Sequence, residues 1–329
     1  MSDVLIESTI PAPQPGPARL VLPATSANLG PGFDAAALAM TLYLTVDAVA
    51  ASETTITATG RDAALCSNIK NNLILDTYAS VLTAHKKKVT PLKIEIDNEI
   101  PLGMGCGSSA AALLAGVALA AHFGSLGWTS DDVLREACIR EGHPDNVAAC
   151  WLGGLTLSAM DIIKKQTETG IESQTNVHAI SIKPKSDWRL LLVMQSTPLS
   201  TKKARGLLPE SYSKADAVFN VQRMALLTAA FAEGNGELLK IAMQDKLHQP
   251  YRAAAAPLLP LLEPLAGKSG ILGVALSGAG PSVLLVLSRD AVLEDIEKRV
   301  TEKIGAISGT EMLPCGMERR PASCELDTV

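Results

Sequence analysis

Alternating apolar and polar positions predict several strands in the first half of the chain. Across residues 92–100, Leu92, Ile94 and Ile96 alternate with charged or polar residues, which is typical of a strand with one buried face. Pro101 ends this segment, and other apolar and β-branched segments predict four more strands. Those four cover residues 19–26, 37–50, 54–60 and 151–160.

Helical spacing first appears over residues 72–88. Five apolar side chains there can share one helix face, and they are Leu73, Leu75, Tyr78, Val81 and Leu82. A second helix is expected to follow a glycine-rich segment, with Ser108 and Ser109 as capping residues. A third helix is expected over residues 130–142, with Ser130 at its N-cap.

The pattern changes near Lys185. A polar linker there precedes a fully apolar strand, so we predict two domains, residues 1–185 and 186–329. Helices and strands in the second part indicate an α+β domain with an antiparallel sheet. The helices cover residues 214–234, 236–245 and 290–305, and the strands cover 271–278 and 282–288. The polar residues 164–176 predict a surface loop or a hairpin turn.

The composition excludes several classes of protein. Apolar residues make up 47% of the chain and charged residues 19%, so a sizeable core can form. The net charge of −5, without a large basic patch, argues against a nucleic-acid partner. The six cysteines have no paired spacing and are expected to be reduced thiols of a cytoplasmic protein. Residues 1–20 have no signal-peptide pattern, and the apolar run 109–123 is too short to span a membrane.

A glycine-rich turn between the strand at 92–100 and the next helix carries the first candidate chemistry. Gly103, Gly105 and Gly107 have no Cβ, so an anion is expected to approach the backbone closely, above all at Gly105. The first N–H groups of a helix and its partial positive charge also favour phosphate. The turn has neither the lysine of the Walker loop nor the third glycine of the dinucleotide motif, so it matches neither.

Three other segments place polar or glycine residues next to predicted strands. Residues 23–34 follow a strand, and residues 141–154 hold Glu, His, Asp and Asn in a predicted loop. Residues 276–286 form a glycine turn between two strands. Each segment alone is typical of an ordinary turn, but all of them together with the glycine-rich turn are a more specific signal.

These segments together resemble the motifs of the GHMP kinases, the superfamily of galactokinase, homoserine kinase, mevalonate kinase and phosphomevalonate kinase. Residues 101–110 (PLGMGCGSSA) are similar to the superfamily motif Pro-x-x-x-Gly-Leu-Gly-Ser-Ser-Ala, and residues 277–282 (SGAGPS) to its third motif. Residues 23–34, 141–146 (EGHPDN) and 200–209 (STKKARGLLP) are similar to segments of the homoserine kinase family.

The resemblance runs from residue 20 to residue 300 and implies both a fold and an activity. The implied fold is α+β, with an N-terminal ribosomal-protein-S5-domain-2-like α/β domain and a C-terminal ferredoxin-like α+β domain. The implied activity is transfer of the γ-phosphate of ATP to the hydroxyl of L-homoserine, which gives O-phospho-L-homoserine on the route to threonine.

By this resemblance, the glycine-rich turn holds the phosphates of ATP. The implied contacts are Asn72 at the adenine and Pro101, Leu102, Gly103, Met104, Gly105, Cys106, Gly107, Ser108, Ser109, Ala110 and Ala111. Mg²⁺ prefers oxygen ligands and is expected on Ser108 or Ser109 and on Glu141, with Glu136 as the alternative. Cys106 replaces a leucine of the family, and its thiol is expected to have a lowered pKa and to react with alkylating agents. The structural residues of the third motif are Ser277, Gly278 and Gly280.

The resemblance also implies an acceptor site. Arg205 and Arg252 are expected to bind the homoserine carboxylate, because the planar guanidinium donates paired hydrogen bonds. Asp34, with Asn28, is expected to accept the ammonium group. The remaining residues of the pocket are His143 and Asn146.

The predicted catalytic residues are Asn146, Asp34 and Glu141. Asn146 cannot take a proton, so it is expected to orient the acceptor hydroxyl. The proton then leaves to the phosphate or to solvent, and Asp34 stays open as a base.

Two alternatives stay open at this point. Another GHMP small-molecule kinase of the mevalonate type would share the glycine loop, but mevalonate has no ammonium group for Asp34. A catalytically inactive member would bind a ligand without turnover, which the intact loop and its two serines argue against. The resemblance allows a homodimer, although the sequence shows no row of apolar residues that would identify a dimer interface. It implies no membrane partner.

Overall fold

The computed structural model describes residues 15–167, 170–197, 199–305, 307 and 309–328. Residues 1–14 of the segment that was predicted to have no signal peptide lie outside the described residues. Among the helices that are described, none is both long and apolar enough to cross a bilayer.

A mixed sheet forms the first layer, and the strands predicted in the first half of the chain are confirmed. Its order is β11-β1-β2-β4-β3, and β5 pairs with β2 and with β6. The strands are β1 (Pro15–Asn28), β2 (Gly32–Ala50), β3 (Thr55–Gly60), β4 (Leu92–Asn98), β5 (Leu155–Thr167), β6 (Gly170–Ile182) and β11 (Ser323–Thr328). Strand β4 alternates buried and exposed positions throughout, as its sequence predicts. Of the polar residues 164–176, those that the structure describes belong to the β5–β6 hairpin, where 164–167 pair with 170–173.

Helices pack against this sheet, and the central one is apolar on all sides. They are α1 (Ala63–Cys66), α2 (Leu73–Ala84), α3 (Ser108–Phe123), α4 (Ser130–Glu141) and α5 (Asp145–Leu152). Eleven of the sixteen residues of α3 are buried, because α2, α4 and the sheet surround it. The N-terminus of α3 therefore has a fixed position at the end of the core.

Three local expectations from the sequence are wrong. The N-cap of α3 is Gly107, so Ser108 and Ser109 stand in the first turn and make no capping bond. The N-cap of α4 is Thr129, because its hydroxyl and the Asp132 carboxylate cap each other's backbone N–H groups. Residues 145–152 form helix α5, although the sequence predicted a loop there.

The second layer is an antiparallel four-stranded sheet, which confirms the α+β prediction. Its order is β10-β7-β9-β8. The strands are β7 (Arg189–Met194), β8 (Ile271–Leu276), β9 (Val283–Leu287) and β10 (Glu311–Gly316). The helices are α6 (Thr201–Arg205), α7 (Lys214–Glu233), α8 (Leu239–Ala242), α9 (Gln249–Arg252), α10 (Leu258–Leu262) and α11 (Leu293–Ile304). Short 3₁₀ turns cover Gly236–Leu238 and Glu263–Leu265.

The two sheets are joined twice along the chain. The chain enters the second sheet at β7 and returns to the first at β11, which pairs with β1. The domain boundary near Lys185 stays a prediction. The β1–β2 turn, the start of α3, the α4–α5 junction and the β8–β9 turn come together where the layers meet.

Candidate active site

A cavity lies where these four segments meet. It brings together residues that are far apart in the sequence, and they are Asn28, Asp34, Gly103, Gly105, Cys106, Gly107, Ser108, Ser109, Ala110, Glu141, His143, Asp145, Asn146, Arg205, Arg252, Gly278 and Gly280. A second, more apolar cavity of about 490 Å³ adjoins it at Gly103, Ser108 and Ser109. Five residues predicted from the sequence line neither cavity, and they are Pro101, Met104, Ala111, Glu136 and Ser277.

The glycine turn requires glycine for backbone reasons and for packing. Gly103, Gly105 and Gly107 have φ angles of 71°, 74° and 71°, in the left-handed region that other residues avoid. A Cβ on Gly105 would lie 2.2 Å from the carbonyl oxygen of Ser277. The Ser277 hydroxyl also donates to the Gly105 carbonyl at 2.7 Å. Gly105 therefore joins the first glycine turn to the β8–β9 turn, and the expectation that its bare Cα faces phosphate is wrong.

The start of α3 keeps the properties of an anion site. Ser108 and Ser109 occupy the first turn, where backbone N–H groups have no partner within the helix. No acidic side chain lies in that turn, so the helix does not itself offset the partial positive charge of its first turn. Both serines line the two cavities at once, so they lie where the cavities adjoin.

Cys106 is not a reactive thiol in this fold. Its side chain is 1% exposed, and burial raises the pKa of the thiol to about 12. The expectation of a lowered pKa is wrong because the side chain turns into the core, away from the helix end. Thiolate is the nucleophilic form, so alkylating agents should not attack Cys106 in the folded protein.

The two candidate carboxylates have different surroundings. Glu141, the last residue of α4, lines the cavity, and burial raises the pKa of its carboxyl. Its carboxylate is 3.9 Å from Nε2 of His143 and pairs with no arginine or lysine of the described chain. Glu136 instead accepts a hydrogen bond from Arg140 at 2.6 Å, one turn further along the same helix. The geometry therefore favours Glu141 as an oxygen ligand facing the cavity.

Asp145 connects the polar residues at the start of α5, and the sequence analysis gave it no role. It is 1% exposed, and its Oδ1 lies 2.7 Å from Nδ1 of His143 and accepts from the backbone N–H of Asn146 at 2.7 Å. Burial alone lowers the pKa of His143, but the hydrogen bond and charge of Asp145, with Glu141 and Asp34 nearby, raise it overall. The only signal in the sequence was its place between His143 and Asn146.

Asp34 and Arg205 form an ion pair across the cavity. The Arg205 guanidinium donates to both carboxylate oxygens, at 2.9 and 2.6 Å. Asn28 accepts from the backbone N–H of Asp34 at 3.1 Å and donates to the carbonyl of Gly278 at 2.8 Å. Asn28, the last residue of β1, thus ties the start of β2, which carries Asp34, to the β8–β9 turn.

Arg252 is buried without a carboxylate partner in the described chain. It is 1% exposed, and its guanidinium bonds only to the carbonyl of Ala204 at 3.4 Å and to Nδ1 of His248 at 3.2 Å. Burial and the nearby charge of Arg205 lower its pKa. The ring of Phe33 lies 5.4 Å from the Arg252 guanidinium and 5.5 Å from that of Arg205. The sequence analysis did not identify Phe33 or His248 as parts of this site.

Asn72 lies in the second cavity, but its side chain is engaged within the protein. Its Oδ1 accepts from the backbone N–H groups of Ile74 and Leu75, and its Nδ2 donates to the carbonyls of Cys66 and Asn68. The contact with adenine stays a prediction, and it would come from packing rather than from a free amide group.

One cluster of possible metal ligands occurs among the described residues. Ligand atoms of Asp34, His143 and Asp145 lie within 4.8 Å of one another. Asp34 already faces the Arg205 guanidinium and Asp145 faces His143, so hydrogen-bond partners inside the protein hold both carboxylates. The Glu141 carboxylate, in contrast, has no arginine or lysine partner in the described chain, and an oxygen donor of this kind suits a hard cation such as Mg²⁺.

Comparisons with known proteins agree on one family. Residues 72–154 match the model of the GHMP kinases N terminal domain, and residues 227–305 match that of the GHMP kinases C terminal. The homoserine kinase of Solibacter usitatus is 43% identical over 306 residues, which cover 92% of this chain and 95% of that protein. The homoserine kinase of Synechococcus is 39% identical over 83% of this chain and 86% of its own length.

Solved structures share the fold over nearly the whole chain. A homoserine kinase from Cytophaga hutchinsonii has a TM-score of 0.73 at 22% identity and covers 98% of this chain and 100% of its own. A mevalonate kinase from L. major, in complex with R-mevalonate, has a TM-score of 0.62 at 16% identity and covers 98% of this chain and 99% of its own. The two-domain architecture implied by the sequence motifs is therefore the fold of this chain.

Proposed function

The chain belongs to the homoserine kinases, within the GHMP kinase family, and we propose that its two adjoining cavities bind ATP and L-homoserine for direct phosphoryl transfer. The products are O-phospho-L-homoserine and ADP. The observation that carries the proposal is that Asp34, Arg205 and Arg252 line the same cavity as the glycine turn. The charged side chains suit an amino acid, and the glycine turn suits phosphate.

The nucleotide lies across the start of α3. The backbone N–H groups of Ser108, Ser109 and the preceding glycine turn hold its phosphates. The larger, apolar cavity beside them takes the nucleoside, because it opens from the same two serines. Phosphate recognition in this chain therefore rests on the backbone and the helix end, not on a lysine.

Glu141 and one of the two serines hold the divalent cation. Glu141 lines the cavity without a cationic side chain bound to it, and oxygen donors suit Mg²⁺. The ion, when bound, supplies charge neutralisation at the phosphates. Glu136 suits this role less well, because it accepts a hydrogen bond from Arg140 and does not line the cavity.

The site recognises the acceptor by its two charged groups. Arg252, which has no carboxylate partner, attracts the homoserine carboxylate together with Arg205. Asp34 receives the ammonium group while keeping its contact with Arg205, so opposite charges alternate around the site. A mevalonate-type acceptor has no group for Asp34, which argues against that alternative.

Catalysis rests on positioning and charge, without a dedicated base. Asn146 cannot accept a proton, Arg205 holds both oxygens of Asp34, and Asp145 is hydrogen-bonded to His143. The residues therefore align the acceptor hydroxyl with the phosphate held by the glycine turn, and the hydroxyl proton leaves with the phosphate group or to solvent.

We place the enzyme in the cytoplasm, where thiols stay reduced. All six cysteines are free, and Cys106, Cys138 and Cys150 are buried in the core. A homodimer stays a prediction of the family resemblance.

The function is tested by ADP release from purified protein with Mg·ATP and a panel of alcohols. The panel contains L-homoserine, mevalonate and galactose. Turnover should be highest with L-homoserine. Equal or faster turnover with mevalonate or galactose would overturn the acceptor assignment, and absence of turnover with every alcohol would favour the catalytically inactive alternative.

A further inference from the structure

Thr25 of β1 lies beneath the cavity and contacts two of the segments that line it. Its side chain is fully buried, and its hydroxyl is 2.7 Å from Oδ1 of Asn146 at the start of α5. Its backbone N–H donates to the carbonyl of Cys106 in the glycine turn at 3.0 Å. One residue therefore links the glycine turn to Asn146, the residue proposed to orient the acceptor hydroxyl.

The carboxylate of Asp145 fixes which way the Asn146 amide faces. Nδ2 of Asn146 lies 3.4 Å from Oδ1 of Asp145, and a carboxylate can only accept a hydrogen bond. The amide nitrogen therefore faces Asp145, and the amide oxygen faces Thr25. The Thr25 hydroxyl must then be the donor in its bond to Asn146.

The glycine turn is built directly against this hydroxyl. A Cβ on Gly107 would lie 1.9 Å from Oγ1 of Thr25, so only glycine leaves room for the threonine side chain there. Gly107 is also the N-cap of α3, whose first turn is the proposed phosphate site. The Thr25 hydroxyl thus sits between the helix end and Asn146.

We propose that Thr25 is a positioning residue for phosphoryl transfer and that it acts through Asn146. By occupying the amide oxygen of Asn146, it leaves the amide nitrogen as the group that faces the cavity. Asn146 then donates a hydrogen bond to the oxygen of the acceptor hydroxyl, and it does not accept that hydroxyl's proton. The inference rests on the proposed transfer to a hydroxyl held beside Asn146.

The consequence is that the acceptor hydroxyl has a defined position relative to the phosphate of ATP. Thr25 holds Asn146 at a fixed distance from the turn that carries the phosphates, and near-attack geometry is sensitive to shifts of an ångström. Removal of the hydroxyl takes the donor away from the amide oxygen of Asn146 and leaves the orientation of the amide to its longer, 3.4 Å contact with Asp145. The loss should therefore fall on kcat and not on substrate binding.

The test compares Thr25→Val, which removes only the hydroxyl, with Thr25→Ser, which keeps it. Thr156→Val is the matched control, because Thr156 is equally buried and its hydroxyl donates to a carbonyl, that of Gly153, away from the cavity. We expect Thr25→Val to lower kcat roughly 10- to 100-fold, with each KM changed less than about 3-fold. Thr25→Ser should recover kcat to within about 3-fold of wild type, and Thr156→Val should match wild type.

A double-mutant cycle separates positioning from simple stability. If Thr25 acts through Asn146, then Thr25→Val should lower kcat in the wild type but not further in the Asn146→Ala background. Equal effects in both backgrounds, or a wild-type kcat for Thr25→Val, would overturn the inference. Failure of the wild-type protein to phosphorylate L-homoserine is a different result, and it would overturn the proposed function.

Discussion

The carboxylate of Asp34 and the guanidinium of Arg205 lie 171 positions apart in the chain and form a two-point ion pair at 2.9 and 2.6 Å. Asp34 lies near the start of β2 with a φ of 55°, and Arg205 ends α6 in the other layer. The pair is about one-third exposed and opens into the cavity. It provides a positive and a negative group side by side, which is the complement of an α-amino acid.

The first prediction concerns this pair. Arg205→Ala should raise the KM for L-homoserine by roughly 10- to 100-fold, because a charge-assisted hydrogen bond is lost and Asp34 is left unpaired. The KM for ATP should change little. Arg19→Ala is the control, since Arg19 makes a similar two-oxygen contact with Asp47 on the surface. An unchanged homoserine KM in Arg205→Ala would place the ion pair outside the acceptor site.

The second prediction concerns the buried charge of Arg252. Arg252→Met should raise the homoserine KM roughly 10-fold or more. The reason is that the homoserine carboxylate loses a guanidinium that pairs with no carboxylate of the described chain. The Tm should stay at or above the wild-type value, because an apolar side chain replaces a buried guanidinium that has no carboxylate partner. Steady-state kinetics and thermal unfolding measure the two effects. A much lower Tm with an unchanged KM would make Arg252 a structural residue.

The third prediction separates Glu141 from Glu136. Glu141→Gln should lower kcat/KM and raise the Mg²⁺ concentration needed for half-maximal rate, whereas Glu136→Gln should affect neither. The pKa of Glu141 is raised by burial, and the metal needs the ionised form. Activity should therefore fall on acidification at a higher pH than an exposed glutamate would give. In Glu141→Gln, this part of the pH profile should be absent. The same Mg²⁺ dependence in both variants would contradict the assignment.

The fourth prediction concerns the contact between the two glycine turns. Gly105→Ala should destabilise the protein by several kcal/mol and weaken ATP binding, because its Cβ would overlap the carbonyl oxygen of Ser277. Gly127→Ala is the control, since Gly127 also has a positive φ but its Cβ would meet nothing within 4 Å. That control should cost only about 1–2 kcal/mol. Equal unfolding free energies for the two variants would show that the turns do not pack as described.

Periodicity predicted what depends on local sequence. The alternation in β4 and the apolar stripe of α2 appear as expected, since each is set by burial of one face. The caps of α3 and α4 were misplaced by one residue, because Ser, Thr and Gly are all plausible caps and the backbone decides among them.

Contacts between distant segments could not be derived from the sequence. Motif resemblance pointed to Asp34 and Arg205 as separate contacts, but their pairing depends on how β2 and α6 meet. Thr25 and Asp145 gave no signal of their own, because a buried threonine in a strand and an aspartate at a helix start are common. The burial of Cys106 also required the structure, since its direction follows from the turn and not from the motif.

The central claim is that the cavity binds both charged groups of an amino acid and that the enzyme phosphorylates the hydroxyl of that amino acid. It is tested most directly by kcat/KM for L-homoserine, for 3-aminopropan-1-ol, which lacks the carboxylate, and for 4-hydroxybutanoate, which lacks the ammonium group. All three have the same hydroxyl at the same distance along the carbon chain. The account predicts that each truncated alcohol loses at least about 100-fold in kcat/KM, because Arg252 or Asp34 is left without its partner. A value within about 3-fold of that for L-homoserine, for either truncated alcohol, would contradict it.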